Sequence, residues 1–185
     1  MQERWPVASL TDETAVVTED GNHAPSPSGP AKLAVAVGIV AAVVLADQLT
    51  KWWAVDRLAS GPVHVFWRLD FSLSVNTGSA FSLFQGATAA LVVVAVALVA
   101  VLLVMVWRAP TFGRAAILGL ILGGALGNLH DRVAYGSVID FIEVHIFSYH
   151  WPDFNIADSA VVTGACLLFL DSLLPKKETQ ARQSE

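Results

Sequence analysis

An uncharged stretch of 21 residues, 87–107, is the feature that most limits what this chain can fold into. An α-helix of about 20 apolar residues spans the hydrocarbon core of a bilayer. Three further apolar stretches, at about 33–55, 115–129 and 156–174, contain few charged residues. Hydrophobic residues make up 55% of the 185 residues, more than is usual for a soluble domain. The sequence therefore predicts a membrane protein, an all-α bundle of four transmembrane helices.

The distribution of basic residues predicts how these spans are oriented. The side that carries the two chain ends and the 108–114 loop has seven Lys and Arg residues, and the opposite side has four. Because loops rich in positive charge stay in the cytoplasm, we expect both termini there and the remaining loops outside.

The two ends of the chain differ in composition from the apolar stretches. Residues 1–31 are acidic, include a Pro- and Ser-rich segment and show no apolar periodicity, which predicts a disordered tail. They lack the basic start and apolar centre of a signal peptide, so we expect no cleavage. Residues 176–185 are predicted to form a short cytoplasmic tail. One membrane domain is thus expected over 32–175.

Residues 63–75 alternate between apolar and polar side chains, a pattern typical of a β-strand with one apolar face. Trp67 and Phe71 belong to the apolar face and are expected to rest on lipid. Strand backbone groups exposed to lipid would have no hydrogen-bond partners. We therefore expect a small extramembrane β cradle, formed by about 61–82 and 133–150.

Glycines recur every fourth residue in the third apolar stretch, at Gly119, Gly123 and Gly127. Small residues on one face of a helix allow a neighbouring helix to approach closely. The third helix is therefore predicted to lie at the centre of the bundle.

Two carboxylates stand out near the fourth span. Asp140, in V-I-D-F, lies between the third and fourth spans, and Asp158, in F-N-I-A-D-S, lies near the start of the fourth. Asn155 is expected to cap the fourth helix with Asp158 at its third position, so Asp158 also has a purely structural interpretation. If the two acids converge, one tends to keep a proton while the other stays charged. Such a pair can activate water and protonate a leaving amine. We expect Asp158, at a helix N-terminus, to be the base and Asp140 to keep the proton.

Other polar residues occur within or beside the apolar stretches. Asp47 and Lys51 are four residues apart, so they can pair on one helical face, either as a structural ion pair or as part of a site. Arg132 could pair with the adjacent Asp131 or bind a lipid headgroup or substrate carbonyl. A further set of neutral side chains could hold a substrate backbone or position a carboxylate: Asn76, Asn128 and Asn155.

Two other functions fit parts of the pattern. His130, His145 and His150 lie among acidic residues, so a metal-dependent hydrolase of a lipid phosphate is one alternative. Their spacing matches no helical metal motif, and solvated loop histidines are the simpler interpretation. A proton-coupled transporter or scaffold that uses Asp47 and Asp158 is the other alternative. The sequence contains no basic patch of the kind that would indicate nucleic acid as a partner.

Five segments, in this order and spacing, resemble the lipoprotein signal peptidase (bacterial signal peptidase II) family. They are D-Q-L-T-K at 47–51, N-T-G-S-A-F-S at 76–82, G-G-A-L-G-N-L-H-D-R at 123–132, V-I-D-F at 138–141 and F-N-I-A-D-S at 154–159. The resemblance covers about residues 33–174, and the acidic N-terminal tail lies outside it.

The resemblance implies an aspartyl intramembrane endopeptidase with no metal or other cofactor, whose catalytic residues are Asp140 and Asp158. It implies a bacterial inner-membrane location, with the active site near the external face. The implied substrates are diacylglyceryl prolipoproteins, cut just before the lipidated cysteine. Membrane lipids are the other expected partners, and we expect a monomer. The supporting residues are Asp47, Lys51, Asn76, Gly78, Asn128, Asp131, Arg132 and Asn155.

Overall fold

The computed structural model describes residues 29–78, 88–146 and 149–174. The predicted tails, up to residue 28 and over 176–185, and residues 79–82 and 147–148 of the predicted cradle lie outside the described residues. The elements are α1 (Gly29–Arg57), β1 (Val63–Phe66), β2 (Leu69–Asn76), α2 (Thr88–Trp107), α3 (Phe112–Tyr135), β3 (Val138–Ile146), β4 (Tyr149–His150) and α4 (Ile156–Leu173).

Within the described residues, four helices are long and apolar enough to cross a membrane, with lengths of 29, 20, 24 and 18 residues in chain order. Most large apolar side chains of α2 are exposed, and its buried residues are Leu102 and Val106. A helix with so many exposed apolar side chains is stable in contact with lipid but not in contact with water. The predicted class, a four-helix membrane bundle with a small sheet, is confirmed.

Helix α3 lies at the centre of the bundle and contacts α1, α2 and α4. A Cβ atom added at Gly123 would lie 2.8 Å from Cβ of Val43 on α1, and one added at Gly124 would overlap the carbonyl oxygen of Ala157 on α4. Only hydrogen at these positions allows the backbones to approach so closely. The predicted central position of this helix is confirmed.

Helix α3 continues to Tyr135, beyond the predicted span that ends at about 129. It ends at Gly136, which adopts a left-handed conformation (φ 74°) and donates its N–H to the carbonyl of Arg132. Asp131 and Arg132 therefore lie on the last turns of a helix, not in a loop.

The strands form an antiparallel sheet in the order β1-β2-β3-β4. The prediction of one continuous strand over 63–75 is wrong, because the chain reverses at Trp67 and Arg68 between β1 and β2. Trp67 adopts φ 50°, an uncommon conformation for a residue other than glycine. The alternating pattern runs through the turn, so periodicity alone could not locate the reversal.

The sheet is held against the end of α1 by aromatic side chains. The ring of Phe71 contacts Trp53 and Phe141 edge to face, with centroid distances of 5.5 and 6.0 Å. Aromatic pairs of this kind contribute about 0.5–1.5 kcal/mol beyond the area that they bury. Trp67 is 77% exposed at the hairpin turn. Phe71 therefore packs against α1 and β3, while the expectation that Trp67 and Phe71 rest on lipid stays a prediction.

Candidate active site

The first turn of α4 contains a reciprocal pair of hydrogen bonds. The N–H of Asp158 donates to Oδ1 of Asn155 at 2.9 Å, and the N–H of Asn155 donates to the Asp158 carboxylate at 3.3 Å. These bonds form the predicted capping box and give partners to N–H groups that a helix N-terminus leaves free. The local sequence thus places the Asp158 carboxylate at the start of α4.

Asp140 lies on β3 and is 2% exposed. Its carboxylate oxygens accept hydrogen bonds from Nδ2 of Asn76, at 2.9 Å, and from Nδ2 of Asn155, at 2.7 Å. Burial raises the pKa of Asp140 to about 6, since the nearby charge of Asp158 adds to the rise while the two amide donors oppose it. A carboxyl group with this pKa can hold a proton at a pH where an ordinary carboxyl group is ionised.

Asn155 joins the two carboxylates. Its backbone N–H donates to Asp158 and its side-chain amide donates to Asp140. The residue is fully buried, so these bonds do not compete with water. Asp140 and Asp158 line the same cavity although they come from a strand and a helix. One residue therefore fixes the relative position of the two acids.

A buried ammonium group lies behind the carboxylate pair. Nζ of Lys51 is 2.8 Å from Oδ2 of Asp47 and 2.8 Å from Oδ2 of Asp131. The pairing of Asp47 with Lys51 along α1 was predicted and is confirmed. Asp131 pairs with this lysine on another helix, so the alternative in which it pairs with Arg132 is wrong. We call Asp47, Lys51 and Asp131 the helix network.

The helix network also orients an amide that contacts Asp158. Lys51 donates to Oδ1 of Asn128 at 3.0 Å, and Nδ2 of Asn128 donates to Oδ1 of Asp158 at 2.7 Å. Lysine can only donate, so its contact fixes which end of the Asn128 amide faces the carboxylate. Asp47 accepts a further bond from the N–H of Ala157 at 2.9 Å, which ties α1 to the start of α4.

Gln48 belongs to the same cluster and was missing from the predicted set. Its Nε2 donates to Oδ1 of Asp131 at 2.9 Å and to Oδ2 of Asp47 at 3.1 Å. A signal was present in the sequence, since Gln48 stands beside Asp47 within an apolar span. A polar side chain at such a position requires a partner inside the protein.

Arg132 holds the end of β2 in place. Its guanidinium donates to the carbonyl oxygens of Gly78, at 3.2 Å, and of Asn128, at 3.3 Å. The N–H of Gly78 donates to Oδ1 of Asn76 at 3.0 Å, which leaves the amide NH₂ of Asn76 directed to Asp140. All the predicted site residues therefore belong to one hydrogen-bonded network.

A cavity of about 940 Å³ opens beside the two carboxylates. Asn128 and Arg132 form part of its polar wall, and Val161 and Val162 of α4 form part of its apolar wall. Val162 is 62% exposed on a helix apolar enough to span the membrane. The volume is within the usual range of about 300–1,000 Å³ for ligand sites. The cavity thus combines a polar end with an apolar side that faces outward from the bundle.

The interpretation of the three histidines as loop residues is wrong. His145 lies on β3 and His150 on β4, whereas His130 lies on α3 with Nδ1 3.5 Å from Asp131. The two strand histidines group with Glu143, and this group could hold a metal ion. Glu143 and His150 line the cavity together with the two aspartates.

Asp140 and Asp158 have the environments that acid–base chemistry needs. Asp140 lies on a strand between two neutral amide donors, whereas Asp158 lies at the N-terminus of α4 and accepts a hydrogen bond from a backbone N–H. Two acids whose environments differ in this way can divide the roles of acid and base.

Comparisons with known proteins agree with this geometry. Residues 39–174 match the family Peptidase_A8, signal peptidase (SPase) II. A lipoprotein signal peptidase of Solibacter usitatus is 40% identical over 152 residues, which cover 77% of this chain and 93% of the relative. One of Paraburkholderia phytofirmans is 44% identical over 149 residues, which cover 76% and 86%.

Solved structures give the same result. A bacterial membrane enzyme solved by the in meso method at 1.9 Å resolution superposes with a TM-score of 0.70 at 28% identity, covering 77% of this chain and 95% of the other. A second such structure, at 2.3 Å resolution, superposes with a TM-score of 0.69 at 27% identity, covering 82% and 94%. This multi-pass membrane chain therefore belongs to the signal peptidase II family of aspartic peptidases.

Proposed function

We propose that this protein removes the signal peptide from diacylglyceryl-modified prolipoproteins by cutting the peptide bond just before the lipidated cysteine. The relatives with 40% and 44% identity are lipoprotein signal peptidases, which supports this substrate class. The observation that carries the proposal is the joining of Asp140 and Asp158 through Asn155 beside one cavity. Because the family is one of aspartic peptidases, it favours this function over a metal-dependent lipid-phosphate hydrolase or a transporter.

In the proposed reaction, Asp158 takes a proton from a water molecule whose oxygen attacks the scissile carbonyl carbon. The tetrahedral intermediate collapses when the carbon–nitrogen bond breaks and Asp140 gives its proton to the leaving nitrogen. The products are the carboxylate end of the signal peptide and the free amine of the lipidated cysteine. Each aspartate ends with the other's initial protonation state, so one proton transfer resets the pair.

The substrate would enter the cavity from the side of α4. The apolar wall at Val161 and Val162 suits the acyl chains, while the polar end, with Asn128 and Arg132, suits the peptide backbone. This arrangement allows the acyl chains to remain in the lipid while the scissile bond reaches the two acids. We further propose that the domain over 32–175 acts as a monomer, with both termini in the cytoplasm and the cavity near the external face.

Cleavage of a diacylated precursor, followed by gel shift, tests the proposal. Asp140→Asn and Asp158→Asn are each expected to lower kcat by about 10²–10⁴-fold, the usual contribution of general acid–base catalysis. Asp56→Asn is the matched control, because this carboxylate is 62% exposed on α1, outside the cavity. A precursor without the lipid should be a poor substrate for every variant.

Retained cleavage in either aspartate variant would contradict the proposal. The metal-dependent alternative predicts that EDTA abolishes cleavage by the wild type, and the transporter alternative predicts no cleavage at all. We expect cleavage that persists in EDTA.

A further inference from the structure

A second group of ionisable side chains lies on the sheet, outside the carboxylate pair. Glu143 and His145 are two residues apart on β3, so their side chains point to the same face. Asp70 of β2 pairs with Glu143, and His150 of β4 pairs with His145. Strand pairing thus gathers two carboxylates and two imidazoles from three neighbouring strands. We call these four residues the sheet cluster.

The spacing of the donor atoms suits a metal ion. Nδ1 of His150 is 3.1 Å from Oε1 of Glu143, and Nε2 of His145 is 3.5 Å from the same oxygen and 3.0 Å from Oδ2 of Asp70. For metal–ligand bonds of about 2.0–2.2 Å, neighbouring ligands of a tetrahedral ion are about 3.4 Å apart. The ligand atoms of Glu143, His145 and His150 all lie within 4.8 Å of one another, so side-chain movements can close a site without a change in the backbone.

One ring nitrogen in the sheet cluster is left without a hydrogen bond. Nε2 of His145 is buried, yet it makes no hydrogen bond of acceptable angle to any residue that the structure describes. The Asp70 oxygen at 3.0 Å is near but is not aligned with the N–H direction. A buried ring nitrogen this close to two carboxylate oxygens, without an aligned hydrogen bond to either, is able to bind a cation together with them.

The sheet cluster also has an outer support. Nδ1 of His64 lies 2.5 Å from Oδ1 of Asp70, the oxygen opposite the one that approaches His145. Metal-binding carboxylates and imidazoles are commonly oriented by such contacts on their far side.

We propose that Glu143, His145 and His150 bind a divalent first-row transition ion of the zinc type, with the Asp70 carboxylate beside His145. Two imidazole nitrogens favour such an ion over Ca²⁺ or Mg²⁺, which prefer oxygen ligands alone. The site shares no ligand with the Asp140–Asp158 pair, although Glu143 and His150 line the same cavity, and it stands whether or not the proposed peptidase function is correct.

Binding at this site would affect one wall of the cavity. The segment 151–154 follows His150 directly, lines the cavity and leads to Asn155. Backbone bonds tie the segment to β3, from the N–H of Trp151 to Val144 and from the N–H of Phe154 to Ile142. An ion that joins β4 to β3 and β2 would hold this wall more rigidly, which gives the site a regulatory or stabilising role.

Zinc titration of the untagged full-length chain in detergent tests the site. Calorimetry should show about one Zn²⁺ per chain, and Co²⁺ should give the visible absorption of a tetrahedral site. His145→Ala and His150→Ala should each weaken binding by at least about tenfold. His130→Ala is the matched control, since it removes an imidazole from α3 outside the sheet cluster, and it should bind as the wild type does. Asp140→Asn should also keep full zinc binding, which separates this site from the proposed catalytic pair.

Amide hydrogen exchange supplies a second measurement that does not depend on activity. Zinc should slow exchange over 149–154 in the wild type and in His130→Ala, but not in His145→Ala. The proposal would be overturned if the wild type did not bind zinc, or if His130→Ala and His145→Ala lost zinc binding to the same extent.

Discussion

The helix network and the sheet cluster are built from the same kinds of groups but lie in different surroundings. Side chains of the helix network are at most 5% exposed, whereas those of the sheet cluster range from 21% to 66%. In the first, the Lys51 ammonium and both of its carboxylate partners have several hydrogen bonds. In the second, Nε2 of His145 has none among the described residues.

This difference in burial separates a structural network from a cluster that can still take a ligand. Charges removed from solvent interact strongly but tolerate no missing partner. Charges that remain near solvent interact weakly and can rearrange at little cost. The helix network is therefore expected to hold the active-site amides rigidly, and the sheet cluster is expected to respond to added cations.

The largest effect is expected from Lys51→Met, which leaves Asp47 and Asp131 buried without their cation. Removing one partner from a buried ion pair costs about 3–5 kcal/mol, so the variant should unfold at a clearly lower temperature. It should also lose cleavage activity, because Asn128 would no longer be held toward Asp158. Thermal unfolding in detergent and the precursor assay measure both effects.

Arg57→Met is the control for the loss of a basic side chain on α1, because this residue is 71% exposed. Its melting temperature should stay close to that of the wild type. Equal destabilisation by the two substitutions would mean that burial does not distinguish these ion pairs.

An intermediate effect is expected in the pH profile. The pKa of Asp140 is raised to about 6, so its protonated form is lost as the pH rises through this value. If Asp140 donates the proton to the leaving amine, kcat/KM should fall tenfold per pH unit above about pH 6.

The sheet cluster provides the control for this profile, because its histidines are ionisable side chains beside Asp140 on the same sheet. Replacing His145 and His150 by alanine should leave the midpoint of the fall unchanged. If the fall disappears in that double variant, the strand histidines and not Asp140 control the pH dependence.

The smallest effect is expected from His64→Ala, which breaks the contact with Asp70 at the exposed edge of the sheet. Exposed ion pairs contribute little to stability, so the melting temperature should change by less than about 2 °C. The same variant should weaken zinc binding modestly, since it removes the outer support of Asp70. A large loss of stability without zinc would show that the edge of the sheet is structurally more important than its exposure indicates.

Part of the site follows from local sequence. Asn155 and Asp158 form a capping box because both belong to one helix turn, and Asp47 and Lys51 pair because they are four residues apart on α1. The glycine stripe of α3 was likewise sufficient to predict a central helix, since close helix contacts require small residues.

Other contacts of the site join residues that are far apart in the chain. The distance of 2.8 Å between Lys51 and Asp131 depends on the docking of α1 against α3, and no periodicity encodes it. The turn at Trp67 is not predictable for a different reason. Its residues include none of the Gly, Asn or Pro that usually mark a chain reversal.

The sequence by itself determined four apolar spans, the positions of two acids near the ends of those spans and the helix cap that presents one of them. These features can be read from the length and periodicity of short segments. Span length is compared with the thickness of the bilayer, and residue spacing with the period of an α-helix. Only the tertiary structure decided that Asn155 joins Asp140 to Asp158, that Lys51 orients Asn128, and that three strands gather the sheet cluster. Each of these depends on how separate elements pack, and packing is a property of the whole chain.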